Sequence, residues 1–358
     1  MLNFTVGPVQ SNDEVRAIGA QQVPYFRTAE FSETMFENER ILLKLAGAPE
    51  GSRAVFLTGS GTAAMEATVM NTLDGNDRVL VVNGGSFGHR FVELLQLHSI
   101  PHTAICPEAG YGIDEADLAP FEDAGYTAFV VNLDETSTGV LYDIKLIGDF
   151  CKRNGLFLIV DAISAFLADP IDMLADGIDV MIAGSQKALA VPPGVSMLTL
   201  SPRALERIER IESGIMYLDL KLALKNGERG QTPFTPAVGT LLQINARLKQ
   251  LEETGLTAEL ERISTLAADF RKRIEHLPFK LFSHAPATAV TALEVEPPVS
   301  ARTIFTTLKD EYEIWICPNG GELADRVFRV GHIGDLTVDD NAKLVSAFDD
   351  LKKRGLLG

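Results

Sequence analysis

Lys187 stands in Gly184-Ser185-Gln186-Lys187-Ala188-Leu189-Ala190-Val191-Pro192-Pro193-Gly194, a stretch with no other charge. A lysine held in apolar surroundings gives up its proton readily and becomes a nucleophilic amine that condenses with carbonyls. The same residue at a surface would only lay its stem along apolar neighbours. Asp161 directly follows the apolar run Leu156–Val160 and precedes Ala162-Ile163-Ser164. A carboxylate there is costly without a partner, and a cationic or protonated nitrogen would supply one. A helix N-cap is the other reading. Thr58-Gly59-Ser60-Gly61-Thr62-Ala63-Ala64 follows a third apolar run. Its small residues let backbone N–H groups approach an anion at a helix N-terminus, with the Ser60 and Thr62 hydroxyls beside them. It lacks the Gly-Lys-Ser/Thr of a Walker loop. It reads equally as a tight turn with an N-cap. Asn83-Gly84-Gly85-Ser86-Phe87-Gly88 nearly matches the dinucleotide fingerprint, but Asn83 holds its first glycine position. Phe87 is core unless a planar ring lies beside it.

All of these residues sit at the ends of short apolar runs. Arg53–Leu57, Arg78–Val82, Thr127–Val131, Leu156–Val160 and Asp179–Ala183 are rich in Val, Ile and Phe and read as strands buried on both faces. Helical patterns lie between them at Ala63–Asn71, Phe87–His98, Asp114–Phe121 and Asp143–Asn154, and Val195–Leu200 adds a strand. Such alternation predicts an α/β unit with a mainly parallel sheet covered by helices. Ligands of such sheets bind beyond the carboxyl ends of the strands, where these residues stand. After about residue 235 come helices near Pro236–Glu253 and Leu256–His276, strands near Ala289–Glu294, Tyr312–Ile316 and Arg326–Val330, and a helix near Val338–Arg354. The expected division is an N-terminal segment 1–15 near the site, a large unit 16–244 and a smaller α+β unit 245–358.

The chain has 358 residues and 46% hydrophobic content, an ordinary globular composition. Its formal charge of −17 argues against a nucleic-acid or anionic-membrane surface. Cys106, Cys151 and Cys317 are scattered and make no disulfide framework, so a reducing cytoplasm is expected. No apolar run is long enough for a membrane span, and the six histidines show no metal-ligand spacing, so no metal is expected.

An anion loop, an acid for a ring nitrogen and a lysine for a carbonyl are together the three handles of pyridoxal 5'-phosphate. Its ring would lie between Ile163 and the Phe87 face. With that combination the sequence resembles the class V aminotransferases of fold type I. The resemblance rests on GSGTAAMEA at Gly59–Ala67, NGGSFGHR at Asn83–Arg90, ETSTGV at Glu135–Val140, VDAIS at Val160–Ser164, GSQKALAVPPG at Gly184–Gly194 and FRVGHIGD at Phe328–Asp335, in family order over nearly the whole chain. It implies that Lys187 joins the cofactor as a Schiff base and that Asp161 pairs with the ring nitrogen. Ser60, Gly61, Thr62 and Gln186 would hold the phosphate, Phe87 would stack on the ring and Thr136 would bond its phenolic oxygen. Thr235 would reach the neighbouring subunit's phosphate, which implies a homodimer with shared sites. Arg329 would grip the substrate's acid group, with Gly7 of the Thr5-Val6-Gly7-Pro8 loop and Arg27 near the entrance. Many relatives have His where Phe26 precedes Arg27.

The implied reaction is transamination, with Lys187 as general base and acid. The expected donor is 2-aminoethylphosphonate or alanine, and the partner is pyruvate, phosphonoacetaldehyde or another short carbonyl acceptor. Alanine– or serine–glyoxylate transamination is the alternative. An NAD-dependent dehydrogenase would leave Lys187 and Asp161 without a role. A cysteine desulfurase built on Cys317 would have His before the reactive lysine, where Gln186 stands. A non-catalytic relative would not need the intact Lys, Asp and Arg.

Overall fold

The computed structural model describes residues 1–357. Its main sheet has seven strands in the spatial order Arg53–Thr58, Val195–Leu200, Val180–Gly184, Phe157–Asp161, Ala128–Asn132, Val79–Val82 and His102–Ile105. The last five are parallel to one another. Val195–Leu200 runs antiparallel between its two partners. Its link from Gly184 is a short loop, which suits an antiparallel neighbour, whereas the parallel strands are joined through longer crossovers. The three central strands are buried at every residue, which is why their sequences are unbroken apolar runs. His102–Ile105, at the edge opposite Arg53–Thr58, is only half buried. Its His and Thr hide it from a search for apolar runs.

Parallel register brings the strand ends to one edge. Asn132 is paired with Asp161, and Asp161 with Ile182, so the loop after Gly184 leaves the sheet beside that acid. Helices Gly61–Thr72 and Ser86–Leu97 begin at the same edge, each after its own strand. Helix Ala29–Leu45 has Thr28 as its N-cap and packs on Val238–Thr254. The chain turns at Gly255 (φ +88°), and the next helix, Leu256–Arg273, packs on Val338–Lys353.

A second, antiparallel sheet orders Lys280–Leu281, Val290–Glu294, Val327–Gly331 and Cys317–Pro318. Its core holds Phe270, Phe328 and Phe348. Phe4 belongs to that core, next to the parallel pairing of Leu2–Asn3 with Ile314–Trp315. Val6 packs with Ala287 and Val290. Val9 then donates its N–H to the Gln186 carbonyl (3.2 Å). The N-terminal segment therefore runs from the second core to the mouth of the main sheet. Among the described residues no helix is long and apolar enough to cross a membrane.

Candidate active site

Lys187 is buried, and its Nζ donates to the Val6 carbonyl at 2.5 Å. Burial draws its proton affinity below the ordinary lysine value, Arg329 acts in the same direction, and Asp134 opposes them. Gly7 lies against the lysine stem. A Cβ there would stand 2.8 Å from Lys187 Cδ, and the backbone at Gly7 has φ +122°. Both the space and the conformation require glycine.

Asp161 ends its strand at 1% exposure. Its Oδ1 accepts the Ile163 N–H at 2.9 Å, so it does act as a local turn cap. Burial nevertheless pushes its carboxyl up to about 6, against help from Ile163 N–H and Asn132. No arginine or lysine forms an ion pair with it among the described residues. This acid is in place but lacks the cation that would make it comfortable as an anion.

Helix Gly61–Thr72 opens at this edge with Ser60 as an exposed N-cap residue whose side chain makes no capping bond. Its first N–H groups therefore have no side-chain acceptor from Ser60, and a helix N-terminus of this kind favours an anion. Gly61 is held against Ile163; a side chain there would collide with Ile163 Cδ1. Gly184 lies against the Gln186 amide and Ile163 in turn. Phe87 is half buried, with its ring centroid 6.0 Å from Lys187 Nζ. Arg90 lies over that ring at 5.1 Å and donates to the Thr62 hydroxyl (3.3 Å). These contacts gather Lys187, Asp161, Ile163, Phe87, Gln186, Ser60, Gly61 and Thr62 around one sheet edge.

Thr136 is buried, and its hydroxyl meets that of Ser164 at 3.1 Å. Its carbonyl accepts from Arg329 Nη1 (3.2 Å), while Arg329 Nη2 donates to the Pro318 carbonyl (2.7 Å). Arg329 is buried on the second sheet, in register with Cys317, and its Nε has no partner. Asn319 adds a bond to the Ser137 carbonyl (2.8 Å). The second sheet thus delivers an arginine to the lysine's side of the cleft.

Two residues lie elsewhere. The Arg27 guanidinium donates to Gln231 Oε1 (3.1 Å) and to the carbonyls of Thr232 (2.8 Å) and Pro233 (3.2 Å), and it stacks on Phe26. Thr235 is exposed and lines an open groove with Thr58, Tyr217 and Phe234. In that groove the Tyr217 and Phe234 rings stack at 5.5 Å.

Glu135 is a positioning residue that sequence reading left without a role. Its buried carboxylate accepts the N–H groups of Phe87 (3.1 Å) and Gly88 (2.8 Å) and the Ser137 hydroxyl (2.5 Å). It caps the helix that carries Phe87, where the positive end of the helix dipole favours a carboxylate. Gly85 makes room for it: a Cβ there would lie 2.5 Å from the Glu135 carboxyl carbon and from Ser137 Oγ. The glycine pair Gly84-Gly85 was the available signal, since it marks a close approach. The same cap occupies the place a pyrophosphate would need, which removes the dinucleotide reading of Asn83–Gly88.

The family model for aminotransferase class-V matches residues 23–324. An uncharacterized aminotransferase of Helicobacter pylori is 30% identical over 354 residues, covering 98% of this chain and 93% of that protein. The alanine–glyoxylate aminotransferase of Oryctolagus cuniculus is 29% identical over 343 residues, covering 92% and 87%. The solved aspartate aminotransferase of subgroup IV from Thermus thermophilus superposes with a TM-score of 0.92 at 27% identity, covering 99% of each chain.

Proposed function

The chain belongs to the class-V aminotransferase family, whose members are pyridoxal-phosphate-dependent transaminases, and from that premise we propose that it transfers an amino group from a small carboxylate-bearing donor, alanine first, to a short 2-oxo acid such as glyoxylate or pyruvate. The observation that carries the substrate class is Arg329. It is a buried arginine beside the reactive lysine with a free Nε, and a planar guanidinium suits one carboxylate. A dianionic phosphonate such as that of 2-aminoethylphosphonate calls for a second cation. Arg27 is the residue expected to provide it, but three of its five N–H donors are already bonded to the 231–233 turn.

The residues fit the cofactor on independent grounds. Asp161 is a buried acid without a cation, suited to a protonated ring nitrogen. The N-terminus of helix Gly61–Thr72 has no side-chain cap, which suits a phosphate held by Ser60, Gly61, Thr62 and Gln186. Phe87, Ile163 and Thr136 would flank and bond the ring. When bound, pyridoxal phosphate supplies an aldehyde carbon for amino groups and a ring that takes up the electron pair of a deprotonated substrate carbon.

This chain's own residues do the rest. Lys187 would hold the aldehyde end and, once displaced, serve as the base that removes a proton from the substrate carbon and the acid that returns it. Burial favours its amine form, the form that can accept that proton. Asp161 would keep the ring nitrogen charged by supplying its counter-ion. Arg329 would fix the carboxylate and so orient the carbon–hydrogen bond toward Lys187. The N-terminal segment closes over the lysine stem and excludes water from that side. Thr235, exposed on its groove, would serve the phosphate of a second copy in a homodimer.

The test is direct. The purified protein is expected to be yellow, and borohydride should fix the cofactor on Lys187. Alanine, serine, aspartate and 2-aminoethylphosphonate should then be compared by the spectral change of the amino-accepting half-reaction, with glyoxylate and pyruvate reversing it. Fast reaction with alanine supports the reading. A phosphonate donor outrunning every carboxylate donor would overturn it.

A further inference from the structure

The phosphate of pyridoxal 5'-phosphate is an anion, yet Ser60, Gly61, Thr62 and Gln186, the residues that would hold it, are all uncharged. The chain around them carries a net charge of −17, which opposes the approach of any anion. A cation at that end of the site would offset both. Lys187 would be joined to the aldehyde end. Among the described residues, the only arginine or lysine side chain hydrogen-bonded to any of the four is Arg90, through the Thr62 hydroxyl.

Arg90 is half buried in helix Ser86–Leu97, three residues after Phe87 and so on the same face. Its guanidinium carbon lies 5.1 Å from the Phe87 ring centroid, and Nη1 donates to Thr62 Oγ1 (3.3 Å). Among the described residues no carboxylate pairs with it, whereas the half-buried Arg53 and Arg207 are paired with Glu39 and Asp77. The Thr62 hydroxyl also differs from the others of its helix. Thr68 donates to the Ala64 carbonyl (2.8 Å) and Thr72 to the Thr68 carbonyl (2.7 Å), so both protons are used within the helix. Thr62 stands in the first turn, where no helical carbonyl lies four residues back. Its oxygen accepts from Arg90, and its proton has no acceptor among the described residues. A hydroxyl has one proton and two lone pairs, so the bond from Arg90 leaves that proton for an anion.

We propose that Arg90 is the cationic positioning residue of the phosphate end: held over Phe87, it lends positive charge to the cofactor phosphate through the Thr62 hydroxyl and turns that hydroxyl into a donor. A guanidinium suits both contacts, since it can lie on an aromatic ring and donate from its edge at once. A charged N–H polarises the hydroxyl it bonds and so strengthens the bond which that hydroxyl gives in turn. The same two contacts join the helix that carries Phe87 to the helix whose N-terminus would face the phosphate. Ring platform and anion seat then keep one spacing. The inference rests on the reading of this edge as a pyridoxal-phosphate site.

The experiment uses the full-length chain with and without cofactor. In Arg90→Met the dissociation constant of pyridoxal 5'-phosphate, read by equilibrium dialysis, should rise on the order of tenfold to a hundredfold, the scale of a lost hydrogen bond to a charged group. That of pyridoxal, which lacks the phosphate, should change far less. Inorganic phosphate should raise the melting temperature of the wild-type apoenzyme, and Arg90→Met should lose that rise, a readout that needs no cofactor. Thr62→Val should reproduce both effects, and the double variant should be no worse than Arg90→Met alone. Arg90→Lys should recover part of the phosphate response, because it keeps the charge. A merely structural role for Arg90 would not separate pyridoxal from its phosphate. Equal losses for the two, or full phosphate stabilisation of Arg90→Met, would overturn the proposal, as would additive losses in the double variant. Should Arg90→Met fail to fold, Thr62→Val and Arg90→Lys carry the same comparison. Borohydride labelling separates the two readings: failure of the wild type to label Lys187 sinks the cofactor site itself, whereas a labelled Lys187 with unchanged phosphate affinity in Arg90→Met sinks the role of Arg90 alone.

Discussion

Two polar regions of this chain are built in opposite ways. At the mouth of the main sheet, Lys187, Asp161, Asp134 and Arg329 are buried and incompletely partnered. Around the groove of Thr235, polar groups are paired within the chain: Arg27 donates to three oxygens, and the Tyr217 hydroxyl reaches the Thr58 carbonyl (3.3 Å). Yet Tyr217 and Thr235 remain open to solvent. The contrast separates two kinds of unfinished surface. Buried polar groups without partners call for a small polar molecule. Exposed aromatic and apolar surface around paired polar groups suits another protein surface, and the proposed homodimer would place a second copy there.

The sharpest break of that contrast is Lys187→Ala. It should reduce transamination by a factor on the order of 1,000 or more, the scale of a lost general base. Steady-state and half-reaction rates would check it, and near wild-type turnover would refute the site. Next is Asp161→Asn, which removes the counter-ion and keeps the shape. Cofactor affinity should fall by an amount on the order of 3–5 kcal/mol, as for one lost partner of a buried pair. Equilibrium dialysis measures it, and an unchanged affinity would leave Asp161 as no more than a turn cap.

The apoenzyme offers a pH test of the same residue. Asp161 is raised from about 3.8 to about 6 in the folded chain. Between those values the folded state keeps a proton that the unfolded state has released, so stability falls as pH rises through that window. The loss from this one group is about 3 kcal/mol. Denaturant unfolding of the apoenzyme from pH 4 to 7 should show the fall, and Asp161→Asn should flatten it. An Asp161→Asn profile as steep as wild type would place the effect on two other buried acids, Asp134 and Asp169, instead.

Arg329→Lys exchanges a planar pair of donors for a point charge. The KM of carboxylate substrates should rise by an amount equivalent to about 2 kcal/mol, with the cofactor spectrum unchanged. An unchanged KM would take Arg329 out of the substrate site. The smallest effect belongs to the groove. Arg27→Ala should loosen the 231–233 turn and cost about 1 kcal/mol in dimer association, seen by sedimentation as a weaker dimer with matched losses for alanine and phosphonate donors. Selective loss of the phosphonate reaction would give Arg27 a substrate role after all.

What could be read from sequence follows burial. The central strands are buried at every residue, so their ends, and with them Lys187 and Asp161, stood out as polar residues after apolar runs. Helix Ala29–Leu45 carries its signal in the Thr28 cap on the Phe31 N–H and in the buried stripe of Phe31, Met35, Asn38, Ile41, Leu42 and Leu45, which the charged residues between them interrupt. Helices Pro202–Arg210 and Ala301–Tyr312 have few buried residues, so their sequences carry only a weak apolar stripe. The antiparallel direction of Val195–Leu200 depends on its neighbours and leaves no mark in its composition. The cap by Glu135 and the engagement of Arg27 join residues far apart in the chain, and no local pattern announces either.

The path of the N-terminal segment has a consequence for biosynthesis. Leu2 and Asn3 leave the ribosome early, but the strand they pair with, Ile314–Trp315, is made near the end of translation. The Val6 carbonyl that receives Lys187 Nζ is anchored by that pairing and by Phe4 in the second core. A nascent chain can therefore form the main sheet well before the lid over Lys187 is in place. Contacts of such high sequence separation form slowly, so a stalled or truncated polypeptide would leave Lys187 solvated, with the proton affinity of an ordinary surface lysine, and the burial that favours its amine form arrives only when the last strands close the segment over it.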